Sequence, residues 1–178
     1  MKLRTPLVLI LLLGISASVH AQDPSGPHPK KVRTLEDYQA RTLKEVTTVS
    51  PSSETLGNKL ETMLVSADLF PSKVTASYMG SKRKVPQLKK EVLRQWARLY
   101  AGVMEGYTEP YQTEMLFMEN GTKYWLAVKK ELVPQISELK QGASFDLYLV
   151  RVGTAKISDK WEAMVLVENY VSVKGVDY

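Results

Sequence analysis

The stretch Tyr111–Lys130 reads YQTEMLFMENGTKYWLAVKK, and it contains the clearest structural signal in the chain. Two runs rich in apolar and aromatic residues flank Asn120-Gly121. Asn-Gly is the favoured pair in a two-residue type I′ turn, because both positions take a positive φ. The stretch therefore predicts a β-hairpin. Asn120 also opens the sequon Asn-Gly-Thr, a glycan acceptor in eukaryotic exported proteins, and the two interpretations are compatible.

Two further strands are expected on the C-terminal side of this hairpin. Ser144–Val152 and Trp161–Val173 are rich in β-branched and aromatic residues. We expect Gly153–Lys160 to join them as a long hairpin loop. Leu132–Lys140 contains Pro134, which predicts a connection or a single helical turn.

On the N-terminal side, Pro71–Met79 alternates apolar and polar residues, which predicts a half-buried strand. Gly80-Ser81 then predicts a turn. An amphipathic helix is expected over about residues 86–103, with Pro86 in its first turn. Its apolar face comprises Leu88, Val92, Trp96, Leu99, Tyr100 and Val103, and its solvent face comprises Lys89, Lys90, Glu91, Arg94, Gln95 and Arg98.

A first helix is expected over Thr34–Val46, with Thr34 as its N-cap. Leu60–Val65 is apolar enough to be a helix end or a strand. Two helices followed by a mainly antiparallel sheet define an α+β fold. The pattern over residues 71–173 resembles that of a small closed barrel of the OB-like kind, a resemblance of strand lengths that no sequence motif accompanies.

Residues 1–21 have the pattern of a cleavable signal peptide: Lys2 and Arg4 precede an apolar run, and small residues precede the expected cleavage after Ala21. Residues 22–33 read as a flexible leader and residues 34–178 as a single domain. Removing Lys2 and Arg4 lowers the formal net charge from +5 to +3. With no cysteine, the chain fits a periplasmic or otherwise exported protein, and we expect no transmembrane segment in its mature form.

The composition excludes several chemistries. After cleavage, the one remaining histidine is His28, in the Pro- and Gly-rich leader. Histidine-dependent nucleophilic catalysis needs an imidazole that packing holds in place, and zinc sites need Cys or His ligands. The sequence contains neither GxxxxGK[ST] nor GxGxxG, the two glycine-rich motifs whose loops usually bind phosphate groups. We therefore expect no cofactor and no metal.

Two groups of side chains are candidates for ligand binding. The first is a basic run that would suit an anionic ligand, and the second is an aromatic pair in a strand with one aromatic on each face. The alternatives are a solvated polar helix face for the basic run and burial on both sides for the aromatic pair. The candidates are Lys82, Arg83, Lys84, Lys89, Lys90 and Arg94 in the basic run, and Tyr124 and Trp125 in the strand.

The sequence therefore favours an exported binding or accessory domain without chemistry of its own, with an anionic ligand or a protein as its partner. One alternative is a hydrolase of polymeric substrates, which needs two carboxylates that converge from different strands. A second alternative is an assembly subunit that uses exposed strand edges. The carboxylates on or beside the expected strands are Glu114, Glu119, Asp146, Glu162 and Glu168.

Overall fold

In the computed structural model, the residues that can be described are 34–48, 62–65, 71–101 and 108–172. The predicted signal peptide and leader lie outside these ranges. Within them the chain is a mixed α+β fold that is mostly sheet, with seven strands and three α-helices, as the sequence predicts at this level. None of the helices in these ranges has the length and apolar character that crossing a membrane requires.

The strands share one sheet, and short helical segments connect them. The strands are β1 (Gln39–Ala40), β2 (Met63–Val65), β3 (Ser72–Lys84), β4 (Thr113–Glu119), β5 (Thr122–Val128), β6 (Ser144–Ile157) and β7 (Lys160–Ser172). The helices are α1 (Leu43–Thr47), α2 (Gln87–Trp96) and α3 (Val133–Ser137), with a 3₁₀ turn at Leu35–Asp37 and a π-helical turn at Ala97–Ala101.

The sheet order is β1-β3-β4-β5-β7-β6-β2, and β3 also pairs with β6. The strands β3, β4, β5, β7 and β6 therefore hydrogen bond in a closed circuit, with β1 added beside β3 and β2 beside β6. The pairs β1–β3 and β5–β7 are parallel and the others are antiparallel. This agrees with the predicted mainly antiparallel sheet.

The predicted Asn-Gly hairpin is confirmed. Asn120 has a φ of 49° and Gly121 a φ of 77°, and Glu119 pairs with Thr122 on either side of them. Both turn positions are left-handed, as a type I′ turn requires.

The predicted turn at Gly80-Ser81 is wrong, because β3 continues through it to Lys84. Gly80 takes a φ of 76°, and a bulge between Tyr78 and Lys82 inserts extra residues into β3 relative to β4. The bulge bends β3, so that its first half pairs with β6 and its second half with β4. The second half brings Arg83 opposite Glu114.

The long loop predicted over Gly153–Lys160 is also wrong. Strands β6 and β7 continue toward each other until a two-residue turn at Ser158 and Asp159, whose φ angles are 47° and 63°. Gly153 lies inside β6 opposite Val65, which makes it a point of close strand approach rather than a loop residue. Leu60–Val65, left open by the sequence, contains the strand β2 in its described part.

A single helix over Thr34–Val46 is not what forms. The 3₁₀ turn at Leu35–Asp37 follows Thr34, whose backbone N–H donates to the Asp37 carboxylate. The chain then extends as β1 and starts again as α1 behind Thr42. A second capping box causes the restart, because Thr42 and Glu45 satisfy each other's backbone N–H groups.

The sheet is packed on two faces. Its inner face, inside the closed circuit, buries an apolar cluster that includes Leu43 of α1 and Ile136 of α3. Its outer face, over β5, β6 and β7, packs against the apolar side of α2. The expected helix over 86–103 is confirmed over its described part, and of its predicted apolar face Val92 and Trp96 are buried and Leu88 is partly buried. The rest of the buried face differs from the prediction. The buried members in α2 and the following turn are Lys89, Val92, Leu93, Trp96 and Ala97, whereas Leu99 and Tyr100 are exposed.

Candidate functional site

Four charged side chains from four different elements meet on the outer face. Lys89 Nζ lies 2.6 Å from Glu114 Oε1 and 2.9 Å from Glu162 Oε2. Arg83 donates from Nε to Glu114 Oε2 at 2.6 Å and from Nη2 to Glu162 Oε2 at 2.9 Å. We call these four residues the charge network. With two cations and two anions, it is electrically balanced.

The fold explains why these side chains meet. Arg83 lies directly opposite Glu114 in the β3–β4 pairing. Lys89 lies in the first turns of α2, which begins soon after β3 ends and packs back over the sheet. Strand β5 runs between β4 and β7, and its residue opposite Glu114 is the small Ala127. The lysine can therefore reach both flanking strands.

Burial makes this network unlike a surface ion pair. The side chains of Lys89 and Glu114 are each 1% exposed, whereas those of Arg83 and Glu162 are each 32% exposed. Burial acts to raise the pKa of Glu162, but the hydrogen bonds and charges of Lys89 and Arg83 outweigh it, so that its pKa lies below the ordinary value. Glu162 is therefore an ionised acceptor at neutral pH.

The network fixes an aromatic platform on the same face. The Arg83 guanidinium carbon lies 4.5 Å from the ring centroid of Trp125, a cation–π contact. Leu116 is the cross-strand partner of Trp125, and Met118 is the partner of Lys123. Leu116, Met118 and Trp125 are half-buried and Lys123 is exposed. We call these four residues, with Arg83, the Trp125 face.

The other aromatic candidate, Tyr124, is on the opposite side of β5. It packs against the inner apolar cluster beside the buried Leu126 and Val128. The outer residue Ala127 is buried by the α2 cluster. The C-terminal part of β5, Leu126–Val128, is thus buried on both sides, whereas Tyr124 and Trp125 are each half-buried and keep part of their surface near solvent.

The basic run does not form one surface. Lys89, expected on the solvent side of the helix, is buried, because the helix turns positions 89, 92, 93 and 96 toward the sheet. Arg94 pairs with Glu91, and Lys90 donates to Gln112 Oε1 at 2.6 Å. Lys82 and Lys84 are exposed on β3 and have no acidic partner within the described ranges. The structure thus engages four of the six predicted cations with other side chains.

Glu114 and Glu162 are a carboxylate pair from different strands, the geometry that the hydrolase alternative requires. Both bond the same lysine nitrogen, so two of their oxygens are within two hydrogen-bond lengths of each other. A glycosidase acid needs a raised pKa so that it keeps its proton near neutral pH. The lowered pKa of Glu162 argues against this role, and Glu114, at 1% exposed, is out of reach of a polymeric substrate.

A second polar cluster lies on the outer face near β1, and the sequence did not indicate it. Tyr38 donates to Glu168 Oε2 at 2.5 Å and packs edge-on against Tyr148, with the ring centroids 5.2 Å apart. Glu168 is the extra residue at a bulge between β6 and β7, which directs its carboxylate to Tyr38. Lys73 pairs with Asp146 at 2.8 Å nearby. These contacts join β1 to β7 and β3 to β6.

Sequence patterns contain one signal that points to the charge network. Lys89 is three, four and seven positions before Val92, Leu93 and Trp96, so a helix phase centred on Leu93 places it on the buried side. Glu114 shares the outer face of β4 with the apolar Leu116 and Met118. No family model matches the chain, and no curated protein is similar to it.

Proposed function

We propose that the protein is an exported binding module without chemistry of its own, and that its ligand contacts the Trp125 face. One observation carries this proposal: Arg83 is held over the Trp125 ring by two carboxylates that a buried lysine in turn fixes. A half-exposed aromatic ring and guanidinium locked in one arrangement are suited to recognition.

Rigidity is the physical advantage of this arrangement. A free arginine loses rotamer entropy when it orders against a ligand. Arg83 already has that order, because it donates to Glu114 and Glu162 while it stacks on Trp125. Binding at this face therefore involves little further loss of side-chain entropy.

The sheet supports an OB-like barrel as the framework of the module. The circuit β3-β4-β5-β7-β6 has five strands, the number in an OB-fold. In chain order the helix α3 follows the third of these strands, β5, and precedes the fourth, β6. OB-folds bind oligonucleotides and oligosaccharides on the face of their second and third strands. In this chain those strands are β4 and β5, which bear Leu116, Met118 and Trp125.

Export is part of the proposal. It rests on the signal-peptide pattern of residues 1–21 and on the absence of cysteine from the sequence. A periplasmic or extracellular location would expose the Trp125 face to envelope or environmental molecules.

A thermal-shift screen tests this function. The purified protein is heated with phospholipid head groups, oligonucleotides, oligosaccharides and peptidoglycan fragments at low and high salt. A ligand that binds only the folded state raises the melting temperature by mass action. We expect one class to do so for the wild type and for Tyr100→Leu, an exposed aromatic control in the π-helical turn after α2, but not for Trp125→Leu. The same shift in wild type and Trp125→Leu would refute the site, and no shift with any class would refute the function.

A further inference from the structure

The bonds of the charge network within the described ranges do not use Arg83 Nη1 or Glu162 Oε1, and the Arg83 guanidinium lies over the Trp125 ring. Both cations bond Glu162 at Oε2, and Arg83 uses Nε and Nη2 for its carboxylate bonds. Glu162 Oε1 and Arg83 Nη1 therefore have no partner within the described ranges. Each belongs to a side chain that is 32% exposed, so the Arg83–Glu162 side of the network is partly open to solvent, unlike its Lys89–Glu114 side.

A donor and an acceptor side by side match the hydrogen bonding of hydroxyl groups, since each hydroxyl both donates and accepts. Arg83 lies over the Trp125 ring, and the part of this half-buried ring that remains open to solvent would match the C–H face of a pyranose, which can pack on an aromatic side chain. Half-buried Leu116 and Met118 extend this apolar surface along β4.

Electrostatic balance argues against a polyanion at the same place. Phosphate-backbone binding depends on several cations that are free to displace counterions. At the Trp125 face, Arg83 and Lys89 are already neutralised by Glu114 and Glu162. Lys123 is the one other cation that shares the outer face of this hairpin. The Trp125 face therefore lacks the several unpaired cations that binding to a chain of phosphate groups requires.

We infer that the ligand of the Trp125 face is an uncharged oligosaccharide, with one sugar ring packed on Trp125 and its hydroxyl groups bonded to Arg83 Nη1 and Glu162 Oε1. This inference rests on the proposed function and specifies its ligand class. It replaces the anionic ligand that the basic run suggested. Its direct consequence is that binding is insensitive to salt.

Calorimetric titration of the full chain tests the inference. The probes are soluble hexasaccharides of β-linked glucose and of N-acetylglucosamine, an oligothymidylate, and a heparin oligosaccharide. We expect one neutral hexasaccharide to bind, with a Kd that changes by less than about twofold between about 0.05 and 0.5 M NaCl. Trp125→Leu should weaken binding by about tenfold or more, and Trp125→Phe by less, because Phe keeps an aromatic face.

Glu162→Gln keeps the shape of the side chain and one carbonyl acceptor, and it reports on the hydroxyl contacts separately from folding. We expect its Kd to be higher while its circular dichroism spectrum is unchanged, with Tyr100→Leu as the control of unaltered affinity. Tightest binding by oligothymidylate or heparin, lost in Trp125→Leu and falling steeply with salt, would overturn the sugar assignment and leave the binding site in place. Binding of no probe, or equal binding by Trp125→Leu, would overturn both.

Discussion

The Lys89 side chain is 1% exposed and lies between two carboxylates that belong to different strands. Two bonds to carboxylates offset the cost of removing its charge from water. The partner of Lys89 with the same degree of burial is Glu114, whose second oxygen is bonded by Arg83. The loss of any one member would therefore leave a buried charge short of a partner.

Lys89→Met should lower the free energy of unfolding by about 3–5 kcal/mol, because Glu114 would remain buried with one cation instead of two. The neighbouring Lys90→Met removes a lysine that bonds Gln112 at the surface, and it should cost less than about 0.5 kcal/mol. Urea unfolding of both variants measures the difference. Equal losses would contradict the buried role of Lys89.

Glu162 gives the fold an acid-sensitive component. The pKa of Glu162 is lower in the folded protein than its ordinary value of 4.5. Its contribution to the free energy of unfolding is therefore complete above pH 4.5 and is lost as the pH falls through the folded-state pKa. Wild-type stability should thus fall below about pH 4.5. Asp146 and Glu45 also have lowered pKa values, and they add to the same loss.

Glu162→Gln should be less stable than wild type near neutral pH but should lose less stability on acidification, since one of the titrating groups is gone. Denaturant titrations at a series of pH values measure this, and Glu109→Gln, on an exposed loop, is the control. An acid-induced loss in Glu162→Gln as large as in wild type would contradict the assignment.

At the scale of elements, the predicted and observed structures differ most in which face of α2 is buried and in where the strands end. Leu99 and Tyr100 fit the apolar stripe by α-helical spacing, yet they are 66% and 55% exposed. The π-helical turn at Ala97–Ala101 causes this, because its wider turn rotates later residues away from the sheet. The sequence predicts a turn at Gly80 and a loop beginning at Gly153, whereas both residues lie inside long strands that bulge or pack closely.

Gly153 is the point where β2 and α2 approach β6 most closely. A Cβ atom there would lie 2.2 Å from the Leu64 carbonyl oxygen and 2.6 Å from Val92 Cγ1. Gly153→Ala should therefore cost about 3 kcal/mol or more, since backbone must move to relieve the clash. Gly142→Ala, at a φ of +87° with open space around it, should cost about 1–2 kcal/mol from backbone strain alone.

Thermal or urea unfolding of the two glycine variants compares crowding added to backbone strain at Gly153, where φ is +155°, with backbone strain alone at Gly142. The expected order is Gly153→Ala less stable than Gly142→Ala, and both less stable than wild type. The opposite order would mean that β2 and α2 do not pack against β6 as described.

At the scale of the whole molecule, the closed circuit leaves few strand edges. The outermost strands β1 and β2 are short, which limits pairing with another chain. Beyond Val167, β7 pairs with β6 alone in the described ranges, but the Tyr170 N–H there donates to the Asn169 side chain at 2.8 Å. These features argue against assembly through strand edges.

The second half of β3 is an edge of a different kind, because among the residues that the structure describes it pairs with β4 alone. Exposed Lys82 and Lys84 lie on it, and lysines on edge strands oppose edge-to-edge association. We therefore expect these two lysines to protect this edge, whereas the ligand-binding role that the sequence predicts for them stays a prediction.

The double variant Lys82→Val/Lys84→Val should therefore oligomerise or precipitate at concentrations where wild type does not. Light scattering after size-exclusion chromatography measures the change. The control, Lys130→Val/Lys140→Val, removes two exposed lysines outside the strands and matches the change in net charge. Equal behaviour of the two double variants would show that charge, rather than edge protection, matters.

The sequence by itself determined the features that depend on neighbouring residues. The Asn120-Gly121 hairpin follows from the backbone preferences of two residues, and the strands and α2 follow from hydrophobic periods of two and 3.6. The mixed α+β class follows from these elements together. Capping boxes at Thr34 and Thr42 are equally local, although they divide what reads as one helix.

Only the tertiary structure decided which strands close the circuit and which charges meet. The bonds of Lys89 and Arg83 to Glu114 and Glu162 join residues that are 25 to 79 positions apart. No local pattern fixes such contacts, because they depend on the bulge in β3, the pairing of β4, β5 and β7, and the phase of α2. Lys89, which a helical wheel places on the solvent side of α2, is therefore buried. Two carboxylates distant in sequence balance its charge, and the small side chain of Ala127 leaves space for it.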